Sequence, residues 1–199
     1  CSDDEHTIND LCDLFPLLTL KLIKLTNKTW INPVVPFNKG ILNISDDTDF
    51  VLFQSPEIFH CSDIISHIGG NLNDTNYLTY PVFNSYDYAM NDTVEKLFES
   101  NCDDYYNAFI SKVDINIADK RTDYYRWKGW LNHKLYNNRK LHFLSAITKK
   151  NLDKIGGFCN AMKDGYSYDD NDFLHRISQV CNPMTVGSNK FIGIHLKHD

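Results

Sequence analysis

Glutamate and glutamine are scarce in this 199-residue chain, with four and two copies, and long apolar runs are missing altogether. A bilayer-spanning helix needs roughly 18 or more consecutive apolar residues. The longest comparable stretch, 17–25, is broken by Thr19, Lys21 and Lys24, so no transmembrane segment is expected. No stretch has the layout of a secretory signal, so a mature chain is expected. A basic excess is absent too: 20 Lys and Arg face 26 Asp and Glu, a net charge of −6. A phosphate-backbone binder carries a basic face, so nucleic acid is not an expected partner. The densest basic stretch, 128–154, spreads Lys128, Lys134, Arg139, Lys140, Lys149, Lys150 and Lys154 thinly enough to read as a solvated helical face. No C-x-x-C pair occurs, which removes the usual zinc spacing, and no metal or cofactor is expected. G-x-S-x-G, H-E-x-x-H and G-x-x-x-x-G-K-[ST] are absent as well. Their absence weakens the case for an enzyme without closing it, because active sites also assemble from scattered residues.

What is present points outside the cell. Six widely dispersed cysteines, Cys1, Cys12, Cys61, Cys102, Cys159 and Cys181, fit three long-range disulfides in an oxidising compartment. Six cysteines allow 15 pairings, and each long loop closed would stabilise by about 3–5 kcal/mol. The alternative is six buried thiols in a reducing compartment. Four glycosylation sequons, at Asn27, Asn43, Asn73 and Asn91, support secretion. All four lie in the first 93 residues, while eleven later asparagines form none. Glycans would shield the N-terminal half and leave the C-terminal half open. Asp outnumbers Glu 22 to 4 and Asn outnumbers Lys 21 to 16, the signature of an AT-rich coding sequence such as a virus or parasite carries.

The absence of repeats or Pro/Gly/Ser linkers predicts one globular domain over 1–199, with a weak division near residue 92. The expected class is α+β: a β- and loop-rich part (1–91) and a helix-rich part (92–199), packed as one disulfide-stabilised domain. In the first part, a helical turn is expected at 8–15 and strands at 17–25, 41–44 and 50–53. Residues 26–40, with Pro33 and Pro36, read as loop or edge strand, and 69–92 as surface connections. In the second part, helices are expected from Asp92 or Thr93 to Val113, over 124–135, over 141–155 with a stop at Gly156-Gly157, and over 173–181. Short strands are expected at 114–118 and 190–196.

Several clusters invite chemistry. His195 and His198, with Asp199, could offer metal ligands, but residues three apart on a strand point to opposite faces. His60-Cys61-Ser62-Asp63, with His67, has the residue types of a nucleophilic site, yet adjacent residues cannot form a relay by themselves. The clusters 46–49 and 169–172 could bind Ca²⁺ but match no EF-hand loop, and read as a turn and a helix N-terminus. Tyr124, Tyr125, Arg126, Trp127 and Trp130 are the residue types of protein-binding hot spots and also of a sugar-stacking platform; the plainer reading is core packing. The resulting expectation is a secreted or lumenal binding module with a protein partner, or a glycan, engaged by the C-terminal half. In a virus or parasite it would serve host interaction or immune modulation. The rivals are a secreted hydrolase using Asp103, Asp104 or Asp123 with His133 or His142, and an excised ectodomain of a larger surface glycoprotein.

Overall fold

The computed structural model describes residues 19, 21–84, 88–99, 107, 129–165, 168–187 and 190–198. In chain order its strands are β1 (Phe50–Gln54), β2 (Ile58–His60), β3 (Asn76–Thr79), β4 (Val82–Asn84), β5 (Gly129–Asn132), β6 (Leu144–Thr148), β7 (Asn182–Thr185) and β8 (Gly193–His195). They form two four-stranded sheets, ordered β1-β6-β3-β7 and β2-β8-β4-β5. In chain order the strands alternate between the sheets from β1 to β4, β5 stays in the second, β6 and β7 return to the first and β8 joins the second, five crossings in all. Both sheets are mixed: β3 lies parallel to β7 and antiparallel to β6, and β4 lies parallel to β8 and antiparallel to β5.

The helices are α1 (Val34–Ile41), α2 (Ile64–Asn71), α3 (Tyr88–Glu99), α4 (Lys149–Ile155) and α5 (Asp169–Ile177). Side chains alternate across a strand, and this divides the core in two. Leu78, Leu144 and Ala146 join Ile58, Val82 and Leu131 of the other sheet, with Ile64 and Ile68 of α2. Tyr77, Ile147 and Phe53 face the other way, against Val34 of α1, Leu152 of α4, and Phe173 and Ile177 of α5. The first sheet is therefore covered on both faces. Each fully buried large apolar side chain contributes about 1.5–3 kcal/mol.

The fold is a mixture of helices and mixed sheets, but the expected segregation into a β-rich first part and a helix-rich second part does not hold among the described residues. β3 comes from the first part and is flanked by β6 and β7 from the second. Residues 34–41 are helical despite Pro36, because the first four N–H groups of a helix need no intrahelical acceptor. Pro33 stands at the N-cap, and its carbonyl accepts the first helical bond from Phe37 N at 3.1 Å. That helix ends where a strand was expected at 41–44. Residues 21–25 form no strand. The supposed surface connection 69–92 contains β3, β4 and the start of α3. The stretch 124–135 is helical nowhere among its described residues: 129–132 is β5, entered through Gly129 at φ 98°. The expected helix 141–155 is instead β6 followed by α4, divided at Thr148, whose hydroxyl caps α4. Residues 8–15 and 114–118 lie outside the described residues.

The stop at Gly156-Gly157 forms as expected. Gly156 is the left-handed C-cap of α4, φ 70°, its N–H reaching the carbonyls of Leu152 and Asp153. Gly157 follows at φ 79°, and a Cβ there would meet Asn38 Oδ1 at 2.6 Å. Asn38 cannot yield freely, since it binds Phe158 N and Phe158 O, both at 2.8 Å. Gly156→Ala should therefore cost only the left-handed penalty, about 1–2 kcal/mol. Gly157→Ala should add a steric cost of about 1–3 kcal/mol. Urea unfolding midpoints of the two variants check this, with Gly157→Ala expected to be clearly the less stable.

Candidate functional site

Of the aromatic stretch singled out in the sequence, Tyr124, Tyr125, Arg126 and Trp127 lie outside the described residues. Trp130 is in β5 and only 4% exposed. Its ring meets Phe83 edge-on at 5.3 Å and His133 at 4.4 Å. It is a packing residue, and what it supports is the turn that follows.

Beyond β5 the chain reverses between His133 and Asn137, whose backbones exchange bonds of 2.8 and 3.1 Å. Inside the turn, His133 Nδ1 accepts the N–H groups of Leu135 and Tyr136 at 3.1 and 3.2 Å. Nδ1 must then carry a lone pair, which assigns any single ring proton to Nε2. The His133 and Tyr136 rings stack at 4.4 Å and 19°. Asn137 Nδ2 donates to Trp130 O at 2.8 Å, and Asn132 both donates to Leu141 O at 2.7 Å and accepts from Leu141 N at 2.9 Å. Thr185 Oγ1 donates to Asn138 Oδ1 at 3.1 Å. Loops scaffolded this heavily present side chains in one geometry. Here they are Lys134, Leu135, which is 78% exposed, and Tyr136. Sequence reasoning passed over this tip; Asn137-Asn138 was the available turn signal.

A second cluster lies at the start of α5. His142 Nδ1 pairs with Asp170 Oδ1. The imidazole is boxed by Phe37 at 5.1 Å and Phe158 at 5.0 Å, with Phe173 at 6.1 Å. Burial pushes the Asp170 carboxyl up, but the hydrogen bond and charge of His142, with Arg139 behind them, outweigh it and leave the group below its usual range. The neighbouring Asp169 accepts from Asn32 Nδ2 at 2.8 Å. Asp172 is paired with Arg176, whose Nη1 also holds the carbonyls of Ile155 and Gly157 at 2.9 and 2.5 Å. The carboxylates of 169–172 are thus turned to three different partners rather than to one shared cation. Asp46 and Asp49 flank an open cleft of about 740 Å³ with Asp74, Lys149, Lys150 and Asp153, while Asp47 accepts from Ser45 Oγ. There Lys150 pairs with Asp74 at 2.5 Å and Lys149 with Asp153 at 2.7 Å.

Each member of His60-Cys61-Ser62-Asp63 has a structural task or is enclosed. Asp63 caps α2 through Ser66 N at 2.9 Å, and Ser62 Oγ donates to Lys190 O at 2.8 Å. Burial pushes the Cys61 thiol up to about 12 and lowers the pKa of His60. A thiol so hard to ionise is a poor nucleophile. Cys61, Cys159 and Cys181 stand unbridged; Cys1, Cys12 and Cys102 lie outside the described residues, as do Asp103, Asp104 and Asp123.

Among the sequons, Asn27, Asn43 and Asn73 are exposed and Asn91 is half-buried. Asn43 Nδ2 donates to Lys39 O at 2.8 Å. The Asn91 amide is held on both ends, donating to Lys197 O at 2.8 Å and accepting from Lys197 N at 2.9 Å. At the chain's far end the structure overturns the argument against His195 and His198 acting together. β8 stops at His195, so strand alternation no longer governs His198, and the two rings come within 5.4 Å. Two sets of side chains among the described residues could hold a cation: Glu57, His195 and His198, and His142, Asp169 and Asp170. No helix among the described residues is long and apolar enough to cross a membrane.

No protein-family model matches the chain, and neither does any curated protein sequence.

The His142–Asp170 pair sets an acid dependence. A carboxyl depressed in the folded state contributes stability that is complete above its unfolded pKa and is lost as pH falls through the folded one. Asp170→Asn should cost about 1.5–3 kcal/mol at neutral pH. It should also flatten the fall in stability below about pH 4, where the unfolded carboxyl begins to protonate. Denaturant midpoints recorded from neutral to acid pH for both chains check this.

Proposed function

We propose that this chain is a secreted or lumenal binding module, glycosylated and disulfide-stabilised, that engages another protein through its C-terminal half. In a viral or parasitic setting it would act as a host-interaction or immune-modulating factor. The observation that carries this reading is the turn at 134–136, where Leu135 and Tyr136 are offered to solvent on a backbone tied down by His133, Asn137 and Asn132. Pre-organisation of this kind lowers the entropy lost on association, and tyrosine is among the residues that dominate interface energetics. The turn lies in the half that carries no sequon, and next to the aromatic stretch 124–127.

The disulfide part of the proposal rests on the number and dispersal of the cysteines. Cys61, Cys159 and Cys181 are free in the structure, so no bridge among the described residues supports this part, and all fifteen pairings stay open. The rival reading of a secreted hydrolase is favoured by one observation, the His142–Asp170 pair, which has the make-up of a general-base dyad.

Two measurements test these readings. Intact mass of the secreted product should rise by six mass units on reduction and fall on glycosidase treatment; an unchanged mass in both removes the compartment argument. The glycosylated protein, screened against arrayed cell-surface and secreted proteins, should find a saturable partner. Leu135→Asp with Tyr136→Ala should then weaken that partner by at least about tenfold, the loss of a modest hot spot. An undiminished affinity in the variant removes the turn from the interface.

A further inference from the structure

The segment after β8 is steered by contacts from two other parts of the chain, Glu57 and α3. Leu196 N donates to Glu57 O at 2.9 Å, extending the pairing of β2 with β8 and fixing the Glu57 backbone beside His195. Lys197 is then clasped by the side chain of Asn91 from α3, and its ammonium lies 5.3 Å from the centre of the Tyr88 ring. These contacts turn the chain so that His198 comes back over His195. One ligand atom from each of Glu57, His195 and His198 falls within 4.8 Å of the others. Phe143 meets the His195 ring edge-on from the far side, at 6.5 Å.

We propose that Glu57, His195 and His198 form a binding site for a borderline divalent cation, Zn²⁺ foremost, with a coordination position left open to water or to a partner's side chain. Two imidazoles and one carboxylate are a zinc donor set, and they disfavour the hard cations Ca²⁺ and Mg²⁺, which take oxygen ligands. His195 Nδ1 is buried with no side-chain hydrogen-bond partner. The other donor set lacks this readiness: Asp169 is engaged by Asn32, and Asp170 and His142 by each other. The ion would join the ends of β2 and β8 to the segment that α3 holds.

Titration calorimetry of the full chain with Zn²⁺, after chelator treatment, tests this. One ion per chain is expected. His198→Gln, an exposed change that leaves the core untouched, and Glu57→Gln should each weaken binding by at least about tenfold, as loss of a direct ligand does. Asp169→Asn should bind as the unaltered chain does. Co²⁺ substituted for zinc should give ligand-field absorption without the intense thiolate-to-metal band. The proposal is overturned by an unaltered chain that binds no Zn²⁺, by binding that survives His198→Gln, or by a thiolate band that places the ion on a cysteine.

Discussion

The run from β3 through Tyr80 and Pro81 into β4 is the constraint on which everything else hangs. It is central in both sheets, with β6 and β7 on either side of β3 and β8 and β5 on either side of β4. Tyr77 and Leu78 point into the two different halves of the core, so a single strand braces both. The transfer between sheets happens at two residues. Tyr80 N still bonds Leu144 O, at 2.9 Å, while Pro81 O already accepts from Gly193 N, at 2.9 Å. Proline has no N–H to continue the first ladder, which makes it a natural place to leave one sheet and enter another. Where β8 meets this crossing, a side chain on Gly193 would stand 2.8 Å from Ile58 and 2.9 Å from Leu144. Close packing against these two side chains therefore requires glycine at 193 in β8.

That arrangement explains why parts of the fold were hard to read. The run Tyr77-Leu78-Thr79-Tyr80-Pro81-Val82-Phe83 is buried throughout. A strand covered on both faces loses the alternation that marks one open to water. Its Gly-, Asn- and Asp-rich flanks then dominated the impression of a surface loop. Short elements compound the problem. β2, β4 and β8 have three residues each, less than two full periods of a pleat. At 124–135 the spacing of Tyr124, Trp127, Trp130, Leu131 and Leu135 suits a helix, yet it arises partly from two strand residues and an exposed turn tip. By contrast, β1, α5 and the glycine stop after α4 carried local signals strong enough to survive, because capping, charge at a helix end and left-handed backbone are decided within a few residues.

Sites follow the same division. The choice of His133 as an acceptor for two turn amides, or of His142 as the partner of Asp170, depends on neighbours that only the folded backbone supplies. His195 and His198 are close in sequence, and the alternation rule separated them correctly for a continuing strand. The rule failed because β8 ends there and Asn91, far away in sequence, bends the following residues. Local geometry was legible, but the contact that breaks it was not.

Binder and hydrolase differ in what each candidate group is already committed to. His142 is enclosed by Phe37 and Phe158 and faces a carboxylate that needs it, since burial would otherwise push Asp170 upward. In a general-base dyad the carboxylate keeps its bond to Nδ1 while Nε2 acts on substrate, so what counts against this pair is its enclosure by Phe37 and Phe158. The turn at 134–136 has the opposite character: the N–H groups of Leu135 and Tyr136 are taken up by His133, and Leu135 stands 78% exposed. An exposed leucine alone means little. A leucine beside a histidine that caps its own N–H, with an aromatic stack as its footing, is what the proposed binding reading rests on. That geometry depends on the lone pair of His133 Nδ1, which the two turn amides share.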